Sequence, residues 1–369
     1  MNPRPTPPTP PSAPDLSGFR SLLVVKPSSL GDIVHALPAV ALLARAHPGL
    51  RLRWLVRPEF AGLLEGLPAL EQAIAFPRAR FRGPLGWCRA IAWAVRLRRE
   101  QREGPELVLD LQGLARSALI ARARCRRRRG DAVAGLTDAR EGARFLHRLR
   151  IEIDADAHAV RRCLAAARAL GAVVPEDDLD LPWPLPQGRL PDWWRSEPAV
   201  TDGAPYLVLH PFSRGHGKAL SAAATDVLVQ RLASQRVVIV GQRDQPAPPS
   251  SSDHVIDACN RTSLPELAAI LRGAAGVISV DSGPAHLAAA VCPGPVISIH
   301  SRADPRKVGP WRADALAWHR GSLAPMRQWL NGKGPPVSGG HRMPTPAELH
   351  ALASAVLQGG RSSPTAGSG

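Results

Sequence analysis

A single carboxylate, Asp32, stands where a general base could act. It ends the polar stretch KPSSLGD (residues 26–32), which follows the apolar run LLVV (residues 22–25) and precedes apolar residues at helical spacing. That order predicts a buried strand, a tight loop and a helix, and loops of this kind lie at the ligand-binding edge of open α/β sheets. A carboxylate held there can accept a proton from a hydroxyl group. The alternative role for Asp32 is that of a helix N-cap, a position that aspartate often occupies.

Two stretches later in the chain carry groups that suit a phosphorylated ligand. The first, SRGHGK (residues 213–218), places a hydroxyl, two glycines and strong cations just before a predicted helix. The second, DSGPAH (residues 281–286), lies between a predicted strand and a helix, so its N–H groups can meet an anion at the helix N-terminus. Either pattern alone is also compatible with an ordinary turn. Neither G-x-G-x-x-G nor a Walker A sequence occurs, which disfavours a dinucleotide site or a P-loop.

Alternating strands and helices are predicted in both halves of the chain, and strands separated by helices form parallel sheets. The strand candidates are residues 22–25, 50–56 and 107–111 in the first half and residues 206–210, 236–240, 276–280 and 295–300 in the second, the last of these being the final clear strand. Seven prolines lie from residue 171 to residue 205 and exclude a helix or a central strand there. The sequence therefore predicts two α/β units joined by a proline-rich linker.

The predicted division of the chain has five parts. They are a disordered, proline-rich leader (residues 1–17), a first Rossmann-like domain (residues 18–180), a proline-rich linker (residues 181–204), a second Rossmann-like domain (residues 205–358) and a disordered, Gly/Ser-rich tail (residues 359–369). The leader lacks the positive and apolar regions of a secretory signal. Because no long uninterrupted apolar run occurs, no membrane-spanning helix is predicted.

The net positive charge of the chain favours anionic partners but does not identify one of them. The chain has 47 Lys and Arg against 31 Asp and Glu, a net charge of +16, which favours nucleic acid, an anionic lipid surface or phosphorylated small molecules. A basic, non-catalytic nucleic-acid-binding α/β protein is therefore one candidate, with the run ARARCRRRRG (residues 121–130) as its patch. Against it, aromatic residues make up only 4% of the chain, so platforms for base stacking are sparse. The five cysteines are dispersed without metal-ligand spacing, which suits a reducing cytoplasm.

The first motif, extended to KPSSLGDIVHALP (residues 26–38), resembles the N-terminal motif of the lipopolysaccharide heptosyltransferases of glycosyltransferase family nine, above all the heptosyltransferase I-like members. DSGPAH matches the D-[ST]-G-x-x-H signature of the same family, and residues 110–117, 135–141 and 158–162 resemble further segments of it. The resemblance spans roughly residues 22–357. It implies a GT-B fold, in which two Rossmann-like βαβ domains with parallel sheets face an interdomain cleft.

The resemblance also implies roles for individual residues. Asp32 is the implied general base of an inverting glycosyl transfer. The implied donor-binding residues, in the sugar-nucleotide half, are Ser213, Arg214, Lys218, Asp281, Ser282, Gly283 and His286. The implied acceptor-binding residues, in the N-terminal half, are Ser29, Gly31, Gln112, Arg116 and Arg140. For Gln112 and Arg116, a capping side chain and a solvated side chain are the alternatives.

The implied substrates are ADP-heptose as donor and the Kdo region of a lipid A-linked core as acceptor. We expect no metal or other cofactor, no specific nucleic acid, a monomer, and a cytoplasmic location at the inner face of the inner membrane, where the basic chain meets anionic lipid. The nearest alternative is a family-nine transferase with a different acceptor or heptose position (heptosyltransferase II-like), because the motifs of the two groups are nearly the same.

Overall fold

The computed structural model describes residues 16–81, 83, 85–97, 104–125, 130–179, 181–197, 203–243, 253–332, 334–335 and 340–360. Most of the predicted leader and tail, the arginines at residues 126–129 and part of the predicted linker lie outside these ranges. The described residues form two largely parallel sheets flanked by helices, so the predicted α/β class is confirmed.

The first half of the chain forms a six-stranded sheet. Its strands are β1 (Ser21–Val25), β2 (Arg51–Val56), β3 (Leu70–Ala75), β4 (Glu106–Asp110), β5 (Ala132–Leu136) and β6 (Leu149–Ile151). All pairs are parallel, in the order β3-β2-β1-β4-β5-β6. The helices of this half are α1 (Leu30–Ala46), α2 (Gly86–Leu97), α3 (Ala115–Arg124) and α4 (Ala159–Ala169). The central strands β1 and β4 are buried along their whole length, as their nearly continuous apolar sequences require.

The second half forms a seven-stranded sheet. Its strands are β7 (Tyr206–His210), β8 (Arg236–Ile239), β9 (Val255–Asp257), β10 (Gly276–Val280), β11 (Val296–His300), β12 (Leu316–His319) and β13 (Ser322–Pro325). The order is β13-β12-β11-β10-β7-β8-β9, and only β12 and β13 pair antiparallel. The helices are α5 (Ala222–Arg231), α6 (Leu264–Gly273), α7 (Gly283–Val291), α8 (Pro305–Val308), α9 (Met326–Leu330) and α10 (Pro346–Gly360).

The prediction that residues 295–300 form the last strand is wrong. Two further strands extend the sheet edge beyond β11 as a hairpin. Its two-residue loop consists of Arg320 and Gly321, with φ of 51° and 95°, so both residues have the left-handed backbone of a tight hairpin turn.

Each sheet has one point at which the order of its strands reverses, between β1 and β4 in the first and between β7 and β10 in the second. At such a point the connections leave neighbouring strands in opposite directions and open a crevice in which α/β proteins bind ligands. The loop after β1 leads to Asp32, and the loop after β4 carries Gln112. Lys218 follows β7, and Asp281 follows β10. All four predicted segments therefore lie at the ligand-binding edges of their sheets.

Helix α1 lies between the two halves of the molecule. Residues 33–41 are all buried, including every side of the helix over more than two turns. Such a helix needs apolar neighbours on all sides. It packs against α4 of its own half and against α7 of the second half. The start of α1, where Asp32 lies, is thereby held against the second half.

The segment between the two sheets is attached to the second half by its tryptophans. Residues 181–197 contain only a short 3₁₀ turn, Asp192–Ser196. Trp193 donates from Nε1 to the carbonyl oxygen of Arg261 at 2.9 Å, and the guanidinium of Arg261 lies 3.9 Å from the centre of the indole ring. The ring of Trp194 packs against that of Tyr206 on β7, with centres 5.2 Å apart.

Several histidines are buried in the neutral form. His158 caps α4, where Nδ1 accepts from the Val160 N–H at 3.2 Å, and Nε2 lies 3.0 Å from the carbonyl oxygen of Gly309 in the second half. Burial lowers the pKa of His158 to about 3, although the Gly309 carbonyl acts in the opposite direction. Burial also lowers the pKa of His210 and of His300 to about 4 each. All three rings are therefore uncharged at neutral pH.

We expect the protein to lose stability between pH 6.5 and pH 5. In this interval the unfolded chain binds protons at these histidines while the folded chain does not, so protons favour unfolding. By pH 5, each of these histidines lowers the free energy of unfolding by about 2 kcal/mol relative to neutral pH. Thermal unfolding at pH 7, 6 and 5 measures this fall in stability. As the pH decreases, it comes before the further loss of stability caused by protonation of carboxylates, which begins below about pH 4.

The matched variants are His158→Gln and His216→Gln, since His216 is exposed. His158→Gln should flatten the fall in Tm with decreasing pH, and His216→Gln should leave it unchanged. A Tm that stays constant from pH 7 to pH 5 in the unmodified protein contradicts the explanation.

Candidate active site

Asp32 is the third residue of α1, and Ser29 is the N-cap. The carboxylate oxygen Oδ2 accepts from the backbone N–H of Ser29 at 2.9 Å and from its hydroxyl at 2.7 Å. Asp32 is therefore not the N-cap itself but the acceptor that closes the cap from within the helix. The other oxygen, Oδ1, lies 3.9 Å from Nζ of Lys26, and the Asp32 side chain is 45% exposed. One oxygen holds the helix start while the other remains available for chemistry.

The neighbours of Asp32 keep it ionised. Burial raises its pKa, but the ammonium of Lys26 and the hydrogen bonds from Ser29 outweigh burial, and the pKa lies below its ordinary value. A general base has to be unprotonated to act, and this carboxylate meets that condition at neutral pH. Sequence alone does not show whether burial raises the pKa of Asp32 more than the helix start lowers it. The structure shows that the lowering is the larger effect, so Asp32 is charged.

Lys26 joins the two loops of the first crevice. Its Nζ donates to the carbonyl oxygen of Leu111 at 2.7 Å, directly before Gln112, and the Trp54 indole donates to the carbonyl oxygen of Lys26 at 3.1 Å. The Gln112 backbone N–H donates to Oδ1 of Asp110 at 3.0 Å. Within the described part of the chain, the buried amide oxygen of Gln112 has no hydrogen-bond partner. Buried carbonyl groups normally have a partner, so this oxygen suits contact with a ligand or water.

An ion pair spans the second crevice. Lys218 donates from Nζ to Oδ2 of Asp281 at 2.6 Å, and the Asp281 side chain is only 7% exposed. Burial raises the pKa of Asp281, but the hydrogen bond and the positive charge of Lys218 act against burial, and the pKa lies below its ordinary value, so the carboxylate is ionised. Because an ammonium has three N–H donors, Lys218 can bind Asp281 and a phosphate oxygen at the same time.

Ser282 is the N-cap of α7, and Gly283 is its first residue. The Ser282 hydroxyl donates to the carbonyl oxygen of Val280 at 3.1 Å, and its oxygen lies 3.0 Å from Nδ1 of His210 at the end of β7. The first turn of α7 presents backbone N–H groups without partners in the helix, and the helix dipole makes this end positive. With Lys218 beside it, the turn can receive an anionic leaving group.

The two halves touch where α1 and α7 begin. A Cβ atom on Gly283 would lie 2.5 Å from the side chain of Leu30, and one on Gly31 would lie 2.6 Å from the ring of His286. Real side chains do not approach this closely, so the contact requires glycine at both positions. Asp32 and the first turn of α7 therefore lie on the same side of the molecule, at one contact between the halves.

His286 is buried beneath this contact. Its Nδ1 lies 3.1 Å from Nε2 of His35 on α1, and it is 5% exposed. Burial lowers the pKa of His286, and Asp281 and Asp32 act against that change. The pKa of His35 lies well below its ordinary value, with burial as the main cause. The predicted donor contact at His286 thus belongs to a neutral imidazole pair packed between the halves.

Two predicted donor residues lie outside this group of contacts. Ser213 and Arg214 belong to the loop after β7, where Arg214 is exposed. The Ser213 hydroxyl accepts from the Gly215 N–H at 3.3 Å, and Arg214 donates to the amide oxygen of Gln242 at 3.0 Å. Both stay predictions as donor contacts.

Two predicted acceptor residues lie next to the Gln112 loop. Arg116 is in the first turn of α3, and its guanidinium lies 4.9 Å from the ring centre of Trp87 on α2. The side chain of Arg140 is exposed, and its backbone N–H donates to the carbonyl oxygen of Gly113 at 2.8 Å. The loop that carries Arg140 is therefore fastened to the loop that carries Gln112.

The sequence analysis missed four residues of the site. Lys26 and His35 lie inside the first motif, so the motif itself carried the signal for them. His210 and His300 are the last residues of β7 and β11. A histidine at the carboxyl end of a buried parallel strand, close to the binding edge, is the pattern that could have indicated them.

The candidate ligand groups of the site are a cation, a helix terminus and a carboxylate. Among the residues described, no group of three or more His, Cys, Asp or Glu is arranged to hold a metal ion. Lys218 and the first turn of α7 suit an anion, and Asp32 suits a hydroxyl group.

Comparison with known proteins decides the family. The profile of glycosyltransferase family 9 (heptosyltransferase) matches residues 94–326. Lipopolysaccharide heptosyltransferase 1 of Pseudomonas aeruginosa is 31% identical over 317 residues, which cover 82% of this chain and 84% of the relative. The chain belongs to glycosyltransferase family 9, the heptosyltransferases. The family predicted from the sequence is therefore confirmed, and the protein is a glycosyltransferase.

Other relatives of this family 9 glycosyltransferase agree. Lipopolysaccharide heptosyltransferase 1 of Escherichia coli K12 is 30% identical over 303 residues, or 78% of this chain and 90% of the relative. The structure of E. coli heptosyltransferase WaaC with ADP superposes with a TM-score of 0.64 at 25% identity, covering 81% of this chain and 93% of that one. E. coli heptosyltransferase II has the same TM-score of 0.64 at 19% identity, covering 92% and 99%. The predicted GT-B fold is confirmed.

We expect Gly283→Ala to separate the two halves and impair glycosyl transfer. The new Cβ would overlap the Leu30 side chain, so α7 has to move away from α1. A displacement of about 1 Å at a reacting centre can cost about 100-fold in rate. Tm should fall, and the rate of transfer should fall by at least about tenfold. Gly49→Ala is the matched control, because a Cβ there meets no atom within 4 Å. Equal rates and Tm values for the two variants contradict this interpretation of the contact.

Proposed function

We propose that the protein is an inverting heptosyltransferase that transfers heptose from ADP-heptose to the Kdo region of a lipid A-linked core. The observation that carries the proposal is the position of the ionised Asp32 beside the first turn of α7, across a contact that only glycine permits. It combines a proton acceptor from one half with an anion-binding helix start from the other.

In the proposed reaction, the acceptor hydroxyl gives its proton to Oδ1 of Asp32 as its oxygen attacks the anomeric carbon of the heptose. The bond between that carbon and the β-phosphate oxygen breaks, and ADP leaves with the bonding electrons. Attack from the face opposite to ADP inverts the configuration at the anomeric carbon. Lys218 and the N–H groups of α7 stabilise the charge that develops on the departing phosphate.

The two halves divide the substrates between them. We assign the acceptor to the domain of residues 18–180, with Ser29, Gly31, Gln112, Arg116 and Arg140 as its contacts, and the donor to the domain of residues 205–358. The unpartnered amide oxygen of Gln112 supports the first assignment. The residues between the domains, 181–204, act as a connector that allows the cleft to close and exclude water.

We also propose that the enzyme works as a cytoplasmic monomer on the anionic inner face of the inner membrane, without a metal or other cofactor. A net charge of +16 supports attraction to anionic lipid. No helix in the described ranges is long and apolar enough to cross a membrane.

Mass spectrometry of the acceptor tests the function directly. Purified protein, ADP-heptose and Kdo-bearing lipid A should yield an acceptor heavier by one heptose, together with free ADP. Product formed only on an acceptor that already carries a first heptose would instead favour the heptosyltransferase II-like alternative. No ADP release with either acceptor overturns the proposal.

Asp32→Asn should nearly abolish turnover and leave donor binding intact. The amide oxygen can still accept the hydrogen bonds from Ser29, so the helix start is preserved, but the basicity is lost. Loss of a positioned base lowers kcat by about 10²- to 10⁴-fold. Asp226→Asn, an exposed carboxylate on α5, is the control. A folded Asp32→Asn variant with near-normal kcat would reduce Asp32 to a structural cap.

Lys218→Ala should weaken the donor more than the acceptor. One charge-assisted hydrogen bond to phosphate is worth about 1.5–3 kcal/mol, so the KM for ADP-heptose should rise about 10- to 100-fold. Because Asp281 also loses its cation, Lys218→Arg is the companion variant and should retain most of the donor affinity. A change confined to the acceptor KM would place Lys218 on the wrong side of the cleft.

A further inference from the structure

Large apolar side chains are concentrated on one part of the surface. Among the residues described, the large hydrophobic side chains that are exposed are Leu85, Trp87, Ile91, Val95, Phe145 and Val173. The first four belong to α2 and the residue before it, and Phe145 belongs to the 3₁₀ turn Ala143–Leu146. Helix α3 packs against both elements and connects them. We call the surface formed by residues 85–97, 115–124 and 143–150 the α2–α3 surface.

Helix α2 carries large apolar side chains on two faces, because Trp93 on its inner face packs against Phe76 and Phe81 in the core. It buries the small residues Ala90 and Ala94 and exposes Trp87, Ile91 and Val95, which follow one another at intervals of four. An amphipathic surface helix normally turns its large apolar stripe towards the core. Here a second apolar stripe lies on the outer face, where the protein covers only part of each side chain.

The α2–α3 surface is also strongly basic. Its three segments contain eight arginines and no Asp or Glu. One of them, Arg124, is buried in an ion pair with Glu106. Others stack on the exposed rings: Arg116 lies 4.9 Å from the ring centre of Trp87, and Arg144 lies 4.9 Å from that of Phe145. Aromatic and aliphatic side chains surrounded by arginine are the composition of a surface that enters the headgroup layer of an anionic bilayer.

We propose that the α2–α3 surface is where this enzyme docks on an anionic lipid membrane. This inference rests on the proposed function for its purpose, which is to bring a lipid-linked acceptor to the cleft. Helix α3 begins directly after the Gln112 loop, and Arg116 in its first turn contacts Trp87. The docking surface is therefore continuous with the proposed acceptor side of the cleft.

Charge argues against the other occupants. A second copy docked through the same surface would bring two sets of arginines together, and the three segments contain no acidic residue to pair with them. The phosphates of a nucleic acid would pair with the arginines, but they would not cover the aliphatic side chains of Ile91 and Val95. Anionic lipid satisfies both parts, because headgroups meet the arginines while the apolar row enters the acyl boundary.

Vesicle sedimentation with the full-length protein tests the proposal. Vesicles of phosphatidylethanolamine and phosphatidylglycerol should bind the protein at least about tenfold more tightly than phosphatidylcholine vesicles, because each arginine near an anionic surface contributes to binding. The triple variant Leu85→Gln, Ile91→Gln, Val95→Gln, which leaves the Trp87 partner of Arg116 in place, should lose at least about tenfold in affinity for the anionic vesicles, since these apolar side chains no longer enter the bilayer. Val173→Gln is the matched control, because Val173 is 86% exposed and lies outside the surface.

A probe on α2 provides a second readout. Cys88 is the exposed cysteine, and the other four are buried, so a polarity-sensitive fluorophore can be attached there selectively. Its emission should shift to shorter wavelength on addition of anionic vesicles. The proposal is overturned if the triple variant binds anionic vesicles as tightly as the unmodified protein, or if the unmodified protein binds phosphatidylcholine equally well. It is also overturned if the triple variant loses binding to duplex DNA and not to vesicles, or if its oligomeric state changes.

Activity measurements separate this proposal from the proposed function. The triple variant should retain transfer to a detergent-dispersed acceptor within about twofold and lose most of its transfer to the same acceptor in anionic vesicles. If the unmodified enzyme transfers no heptose, the proposed function fails, while vesicle binding still decides the docking surface. If transfer proceeds equally well in both forms for the triple variant, docking through this surface is wrong and the function stands.

Discussion

The contact between the starts of α1 and α7 is the constraint on which the site depends. Gly31 and Gly283 allow it, since a methyl group at either position would overlap the opposite half. Both helices follow strands at the points where their sheets change direction, so the contact brings two separate crevices together. Glycosyl transfer requires the reacting atoms within about 3–3.5 Å, and a GT-B enzyme can satisfy this only where its halves approach closely.

Two lysines balance the two carboxylates of the site. Lys26 lies beside Asp32 and Lys218 beside Asp281, while the buried histidines are neutral, so these four groups have no net charge. A pyrophosphate that enters brings negative charge which this set does not neutralise. In the proposed reaction, the dipole of α7 and the cations of the loop after β7, with the predicted donor contact Arg214 among them, would supply the remainder.

Local features of the sequence predicted the parts of the site that depend on local structure. The loop before α1 and the turn before α7 each lie within one strand–loop–helix unit, so apolar patterning and motif spacing were sufficient. The contact of Leu30 with Gly283 joins residues far apart in the chain, and no local pattern indicates it. The hairpin of β12 and β13 was missed because its strands have four residues each and its turn uses Arg320 instead of asparagine or aspartate.

Helix α2 shows that the spacing of apolar residues does not by itself determine which face of a helix packs on the core. Spacing by four places Trp87, Ile91 and Val95 on one face of the helix, while the neighbouring face, with Ala90, Trp93 and Ala94, packs on the core. Trp87, Ile91 and Val95 are 39%, 37% and 36% exposed, so each forgoes roughly a third of the 1.5–3 kcal/mol that full burial of a large apolar side chain gives. A lipid surface would recover that free energy. Helix α3 is ten residues, or about 15 Å, long and begins at the Gln112 loop, so docking through α2 would hold the acceptor side of the cleft within that distance of the headgroups. A sugar attached to a membrane lipid could then reach Asp32 while the lipid itself stays in the bilayer.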